Sequence, residues 1–536
     1  MPYLKKAVLV ENLSDGTFVQ QYRFTREDGA EGIIETKPAE ADKWAAFRDL
    51  LRNKNAHSSL LSKATIERAA ASKPEKEVAY ADSSGWRPGR KTFVLPDRVI
   101  GTNTKKICGL PPVKNRSRPK PKGTAKKWLQ SVGPLATKSS GMMLTTSCSF
   151  AAPLLRIVNE QSFGLCLAGK TGGGKTTATL VASSTLTTGQ IDQLPSWNAT
   201  LAGLEPVLRS HNDCLMIVDD LNKMPTTSDR EKYRSAHNFA HNLGTGSIKL
   251  RSSVFDESSE NGRQYRVISL TSAETTIAEL AAKYGERRGG DARRLVDVPI
   301  YFDGLDHIFD RIPKASELGQ SELQALYRSV HTACAKNHGH IFAQYVRFLI
   351  KSRTTLPDKI RTNIKRFLDS MPSGGNSILH ADIIRKFGLI YAGGALAIEG
   401  VDLPWSRSDL LQAIVKCCEA ALDTISSEQH ILDDGWEKLK NRLMALPRLS
   451  TIPQGRWSQI DGYVEPQRGR YRCVLKTDKF NRTFSNGLQR KLVMDELARR
   501  GWITRSRSQE NQGQFIWPDH VRRRSLEINW RKKANR

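Results

Sequence analysis

The chain has 536 residues, enough for three or four domains of about 150 residues each and for a large buried core, which excludes a peptide or a disulfide-stapled miniprotein. Its 39% hydrophobic and 26% charged residues are ordinary for a globular protein, and no run approaches the ~20 continuous apolar residues of a membrane helix, so a soluble chain is expected. Lys and Arg total 83 against 55 Asp and Glu, a net charge of +28. The surplus is concentrated: residues 102–140 hold ten basic residues and no acid, and residues 463–536 hold nineteen basic and seven acidic ones. Such clustering is the footprint of a polyanionic partner, most often nucleic acid, with a merely solubilising basic surface as the bland alternative.

In chain order, residues 1–77 read as a small α+β module: alternation in FVQQYRFT, a turn at Asp28-Gly29 and the strand GIIET suggest a hairpin, and KWAAFRDLLRNKN a helix. Residues 78–124 hold a short β segment and the basic, proline-dense stretch NRSRPKPKG, a linker or exposed loop because neither a helix nor a central strand tolerates that proline density. Residues 125–312 alternate helix and strand, the pattern of a parallel α/β sheet. Residues 313–450 are mostly amphipathic helix, and 451–536 return to short helices and strands. No internal repeat is found at solenoid periods. The eight cysteines, Cys108, Cys148, Cys166, Cys214, Cys334, Cys417, Cys418 and Cys473, form no CxxC pair, which points to reduced thiols. With no apolar signal segment in MPYLKKAVLVENLSDG, a cytoplasmic location is expected. His331, Cys334, His338 and His340 fall within ten residues, but their spacing fits no usual zinc finger and LQALYRSVHTACAKN reads as an ordinary helix.

The strongest chemical signal is GLCLAGKTGGGKTTATLVAS. Gly169, Lys170, Thr171, Gly172, Gly173, Gly174, Lys175 and Thr176 satisfy G-x-x-x-x-G-K-[ST] between an apolar strand, Leu165 to Ala168, and a helix, Thr177 to Ser183. The glycines let backbone N–H groups turn inward around phosphate oxygens, and the helix N-terminus adds a favourable dipole. Lys175 would bridge the β- and γ-phosphates of ATP and the Thr176 hydroxyl would ligate Mg²⁺, with Thr177 completing the nucleotide contacts.

A second metal ligand is required, and 43 residues beyond Thr176 the run Cys214 to Val218 ends in Asp219-Asp220, a Walker B pattern on a buried strand. Asp219 would hold Mg²⁺ and Asp220 would act as general base. Val267 to Leu270 predict another buried strand, with Thr271 and Ser272 at its carboxyl end, where small polar side chains could orient the lytic water; Thr271 is the candidate. Arg293 and Arg294 precede a further strand, where a ring ATPase places the arginine that reaches a neighbour's nucleotide; Arg294 is the candidate. HNLGTGSIKLRSSVF reads as a glycine-initiated hairpin carrying Lys249 and Arg251, placed where a DNA-translocating ring projects a pore loop onto the phosphate backbone of a single strand.

Together with the glycine loop, a series of short motifs resembles the domain of unknown function 927, a family of bacterial mobile elements and prophages that includes the self-loading replicative helicases of staphylococcal cassette elements. The matching residues are Gly85-Trp86, Phe93 to Asp97, Val99 to Gly101, Trp128, Ala151 to Leu155, Trp197 to Thr200, Gly203 to Glu205, Val218 to Asp220, Gly246 to Lys249, Leu270 to Glu274, Arg294 to Pro299 and Arg385 to Phe387. The likeness runs over about residues 5–400. It implies an α/β, AAA+ type parallel-sheet ATPase related to superfamily-three and MCM-like helicases, a homohexamer around DNA, a sensor-2 role for Arg385, and a primase or host replication proteins as further partners. The chain departs from the family in its Asp-Asp pair, where Asp-Glu is usual, and in the glycine richness of the loop.

Beyond the likeness, SNGLQRKLVMDELARRGWITRSRSQENQGQFIWPD reads as a winged helix whose wing strands are Trp502-Ile503 and Gln514 to Trp517. Arg490, Lys491, Arg499, Arg500, Arg505 and Arg507 would face the phosphates of duplex DNA. Two functions stay open: an ATP-driven helicase or translocase of a mobile element, and an ATP-switched DNA-binding adaptor or initiator that recruits other proteins without unwinding.

Overall fold

The structure, a computed structural model, describes residues 1–13, 16–81, 83–102, 107–110, 119–198, 201–226, 228–246, 265–284, 292–371, 378–453, 455–467, 470–484, 487–503 and 513–531. The chain forms two compact units, one of residues 1–225, 237–274 and 293–418, the other of residues 226–236, 275–292 and 419–536.

The first unit opens with the antiparallel strands β1 (Leu4–Asn12), β2 (Thr17–Thr25) and β3 (Glu31–Thr36). Gly29 takes φ +79° in the expected turn, and Asp28 Oδ1 accepts from Ala30 N at 3.0 Å. The two-residue period buries Tyr22, Phe24 and Ile34 beneath α1 (Pro38–Ala41), α2 (Trp44–Arg52) and α3 (Lys63–Ala71), which supply Ala41, Phe47, Leu51 and Ile66. Strand β4 (Lys76–Tyr80) pairs parallel with β1. A small antiparallel sheet of β5 (Gly85–Trp86), β6 (Thr92–Val94) and β7 (Val99–Gly101) follows, and β8 (Ile107–Gly109) then returns to pair with β4. The first sheet therefore runs β3-β2-β1-β4-β8, and the boundary expected at residue 77 falls inside β4. Parallel partners can come from distant sequence, so local pattern does not mark where such a sheet ends. Trp86 ties the small sheet down: its Nε1 donates to Pro153 O at 2.9 Å and its backbone N to Asp213 Oδ2 at 3.0 Å.

The central layer begins with α4 (Ala125–Ala136) and α5 (Ser140–Ala151), followed by β9 (Phe163–Ala168), α6 (Lys175–Ser184), α7 (Leu201–Ser210), β10 (Leu215–Val218), α8 (Asp229–Thr245), β11 (Ile268–Ala273) and β12 (Leu295–Pro299). These four strands are all parallel, in the order β10-β11-β9-β12. Every residue of β9, β10 and β11 is buried, which explains the continuous apolar runs of β9 and β10. Helix α5 is buried along its whole length and spends its hydroxyls internally, as in Thr145 Oγ1 to Ala178 O at 2.8 Å.

The helical region expected after the sheet is present: α10 (Gln320–Lys336), α11 (Ile341–Lys351), α12 (Leu356–Ser370), α13 (Ile378–Val401) and the start of α14 (Arg407–Met444), after α9 (Ile277–Tyr284) in the second unit. Helix α13 is central and packs against α5 and α12. Gly393 lies so close to the Ala151 backbone that a Cβ there would overlap it.

In the second unit β13 (Gly462–Gln467), β14 (Arg470–Lys476), β15 (Gly513–Ile516) and β16 (Arg522–Arg531) form an antiparallel sheet in the order β13-β14-β16-β15, with α15 (Thr477–Asn481) and α16 (Gly487–Arg499). Its core joins Leu439 and Leu443 of α14 to Leu475, Phe480, Val493, Leu497, Leu526 and Ile528. Trp502-Ile503 is not the wing strand expected. Strand β16 is already paired on both edges, by β14 and β15, so Ile503 enters the apolar cluster and Trp502 O merely accepts from Asn529 N at 2.8 Å. Among the described residues no helix is long and apolar enough to cross a membrane.

Candidate functional site

The loop Gly169–Gly174 links β9 to α6 at the carboxyl end of the sheet. Gly172 and Gly174 adopt φ of +88° and +99°, conformations that cost a side-chain-bearing residue about 1–2 kcal/mol. A wall built by the chain after β12 constrains the others. The Tyr301 ring lies against Gly169 and Gly173 with no room for a Cβ, and its hydroxyl donates to Lys170 O at 2.7 Å. Ile308 N donates to Gly173 O at 3.0 Å, and Tyr327 closes on Gly174. Tyr301 and Tyr327 carry no motif that a sequence reading could find; only tertiary packing brings them to the loop.

Lys175 folds back, its ammonium donating to the Gly169 and Lys170 carbonyls, and it is 8% exposed. Burial lowers its pKa, while Asp220 and then Glu274 are the carboxylates that most oppose that shift. A phosphate would offer this desolvated cation a better partner than two carbonyls. Thr171 Oγ1 donates to Glu274 Oε1, and Thr177 Oγ1 hydrogen-bonds His331 Nε2 at 2.9 Å.

Strand β10 delivers Asp219, fully buried, to the same end. Its Oδ1 accepts from Thr176 Oγ1 at 3.5 Å and Ser272 Oγ at 3.4 Å, and its Oδ2 from Lys223 Nζ at 2.7 Å. A buried carboxylate beside a hydroxyl, already compensated by an ammonium, is a hard-oxygen donor set suited to Mg²⁺. A cavity of about 560 Å³, bounded by Leu180, Ile191, Ser196, Lys223 and His331 among others, lies alongside. Asp220 sits at φ +47°, ψ 102°, strained for a non-glycine residue, and its Oδ1 accepts from Asn222 N at 3.0 Å.

Thr271 does not reach this cluster. It lies inside β11, and its hydroxyl accepts from Trp197 Nε1 at 2.7 Å. Successive strand residues face opposite ways, so Ser272 instead meets the acidic pair, bonding Asp219 and accepting from Asp220 N at 3.2 Å.

Arg294 lies just before β12, at the amino end of the sheet, where its carbonyl accepts from Gly164 N at 2.7 Å and its side chain lies over Gly244. Five strand residues, ~16 Å, separate that level from Gly169. Arg385 is also at the amino end: it pairs with Glu160, three residues before β9, at 2.9 Å, and is not brought to the loop of its own chain. Lys249, Arg251, Arg505 and Arg507 lie outside the described residues. In the second unit Arg490 and Lys491 are partly exposed on α16. Arg499 and Arg500 both pair with Glu496, and Arg500 stacks 4.4 Å from the Trp436 ring centroid, so it is engaged inside the module. His331 turns to Thr177 whereas His338 bonds the Cys334 and Lys120 carbonyls, so these histidines do not converge on a metal.

No curated protein matches this chain in sequence. A solved structure described as "SCCmec type IV Cch - active helicase" shares its fold at a TM-score of 0.60 and 12% identity, covering 99% of this chain and 94% of the other. Another, "The A form apo structure of NrS-1 C terminal region-CTR", matches at a TM-score of 0.25 and 9% identity, covering 73% and 86%, too weakly to carry an argument. Residues 12–260 match the family described as "Domain of unknown function (DUF927)", and over that span the resemblance read from the sequence is borne out.

Proposed function

We propose that the chain is an ATP-dependent DNA helicase or translocase of a mobile genetic element or prophage, a P-loop AAA+ ATPase acting as a ring of identical subunits. The observation that carries this reading is the convergence of Gly169–Gly174, Lys175, Thr176 and buried Asp219 at the carboxyl ends of β9 and β10, the two parallel strands that flank β11. In that arrangement the loop N–H groups and Lys175 hold the phosphates, and Thr176 with Asp219 holds Mg²⁺, which when bound neutralises phosphate charge. A carboxylate at the strand ends takes the proton of the lytic water; Asp220 is the one the sequence singles out. The fold shared with a protein described as an active helicase supports coupling this chemistry to DNA, as does the basic surplus in residues 463–536. Lys249 and Arg251 in the pore would grip a single strand, and the C-terminal module would bind duplex.

Strand displacement on a forked duplex, with Lys175→Ala as control, tests the proposal. ATP-dependent displacement by the wild type and none by the variant is expected. ATP turnover without displacement would replace the motor by a nucleotide-switched adaptor.

A further inference from the structure

Resting on that ATPase reading, we propose that Glu274, rather than Asp220, is the carboxylate that accepts the proton of the lytic water, and that Thr171 positions it. Strand β11 lies between β9, which leads into the glycine loop, and β10, which delivers Asp219. Glu274 directly follows β11 and therefore emerges in the crevice between loop and metal ligand. Two residues earlier Ser272 bonds Asp219, while Thr271 faces away toward Trp197, so the Ser272 side of β11 borders this crevice. The Glu274 carboxylate accepts from Thr171 Oγ1 in the loop, which places it at the rim where the terminal phosphate of a loop-bound nucleotide would lie.

Asp220 is committed differently. Its Oδ1 accepts the Asn222 N–H and caps the turn Leu221–Lys223, an interaction that holds the strained backbone at φ +47°. Its carboxylate thus shapes the turn that follows the metal ligand. Among the described residues Glu274 is anchored through one side-chain hydroxyl, that of Thr171, which can be exchanged for water. In the step assigned to it, a water oxygen bonds to the γ-phosphorus as the bond from that phosphorus to the β,γ-bridging oxygen breaks. The water proton passes to Glu274 and ADP departs with the bridging oxygen.

The test uses the full chain, with a fluorescent ATP analogue for affinity and phosphate release for turnover. Glu274→Gln should keep nucleotide affinity within about threefold, lower turnover by ~10²–10⁴ and abolish the acidic limb of the pH–turnover profile. Asp220→Asn should leave that limb in place. Thr171→Val should lower turnover partially at unchanged affinity, and Thr171→Ser should restore it. Wild-type turnover by Glu274→Gln, or an acidic limb lost in Asp220→Asn and kept in Glu274→Gln, would overturn the assignment. Loss of nucleotide affinity in parallel with turnover would also overturn it, by making Glu274 a structural prop. A wild-type chain that hydrolyses no ATP would remove the underlying function, an outcome distinct from all of these.

Discussion

The two ends of the parallel sheet are built from the same four strands and do opposite things. At the carboxyl end Gly169–Gly174, Lys175, Asp219, Ser272 and Glu274 converge, and the positive charge is buried or paired with acids. At the amino end Arg294 lies over Gly244 and Arg385 pairs with Glu160, a strand's length from the glycine loop of the same chain. The difference teaches that this fold keeps the glycine loop and the buried Asp219 apart from Arg294 and Arg385, so that, if the loop takes a nucleotide, these arginines stand one strand length away from it. On the proposed reading, Arg294 would then serve a loop presented by another copy.

The largest effect expected from this division is at Arg294. Arg294→Ala should lower ATP turnover by ~10³ or more although its own loop is intact, and mixing it with Lys175→Ala should restore part of the rate by pairing a good loop with a good arginine. Steady-state turnover of the mixtures reads this. Mixtures no faster than either variant alone would break the comparison.

A smaller effect is expected where the carboxyl end is most tightly packed. Gly173→Ala should destabilise by about 1–3 kcal/mol and weaken nucleotide binding, because its Cβ overlaps the Tyr301 ring and the Asp306 carbonyl. Gly304→Ala, with open space around it, pays only for its φ of +76°, about 1–2 kcal/mol, and should leave nucleotide binding unchanged. Thermal unfolding and nucleotide titration of the pair separate loop packing from backbone strain.

Lys223 sharpens the electrostatics of the same end. Its half-exposed ammonium compensates the fully buried Asp219 and would compete with a divalent cation bound there. Lys223→Met should tighten Mn²⁺ binding in the presence of ADP by up to about tenfold, an effect limited by solvent screening of the lysine and measurable by electron paramagnetic resonance. Weaker binding would mean that Lys223 helps to assemble the site.

The smallest effect belongs to the amino end. Arg385→Ala removes an ion pair whose arginine is 54% exposed, worth about 0–1 kcal/mol, and should leave the subunit's own nucleotide affinity untouched. A large loss of affinity would place Arg385 at its own loop after all and dissolve the contrast between the ends.

Local chemistry was legible without the fold. A glycine loop needs its residues consecutive, and strands buried on both faces need unbroken apolar runs, so Gly169–Thr176, the strand ending at Val218 before Asp219-Asp220, and the Asp28-Gly29 hairpin could be placed from sequence alone. What lay between strands could not. That Thr271 turns to Trp197 while Ser272 turns to Asp219 depends on a one-residue offset in facing, which a wholly buried strand does not encode in its polarity pattern. That β4 and β8 join the first sheet, that Trp502-Ile503 leaves the last one, that Tyr301 walls the loop, and that Arg385 sits at the far end are all consequences of pairing and packing between residues distant in the chain. The sequence by itself determined which groups are available for phosphate and metal. Only the tertiary structure decided which of them meet, because strand order and register are set by the joint burial of many side chains rather than by any one segment.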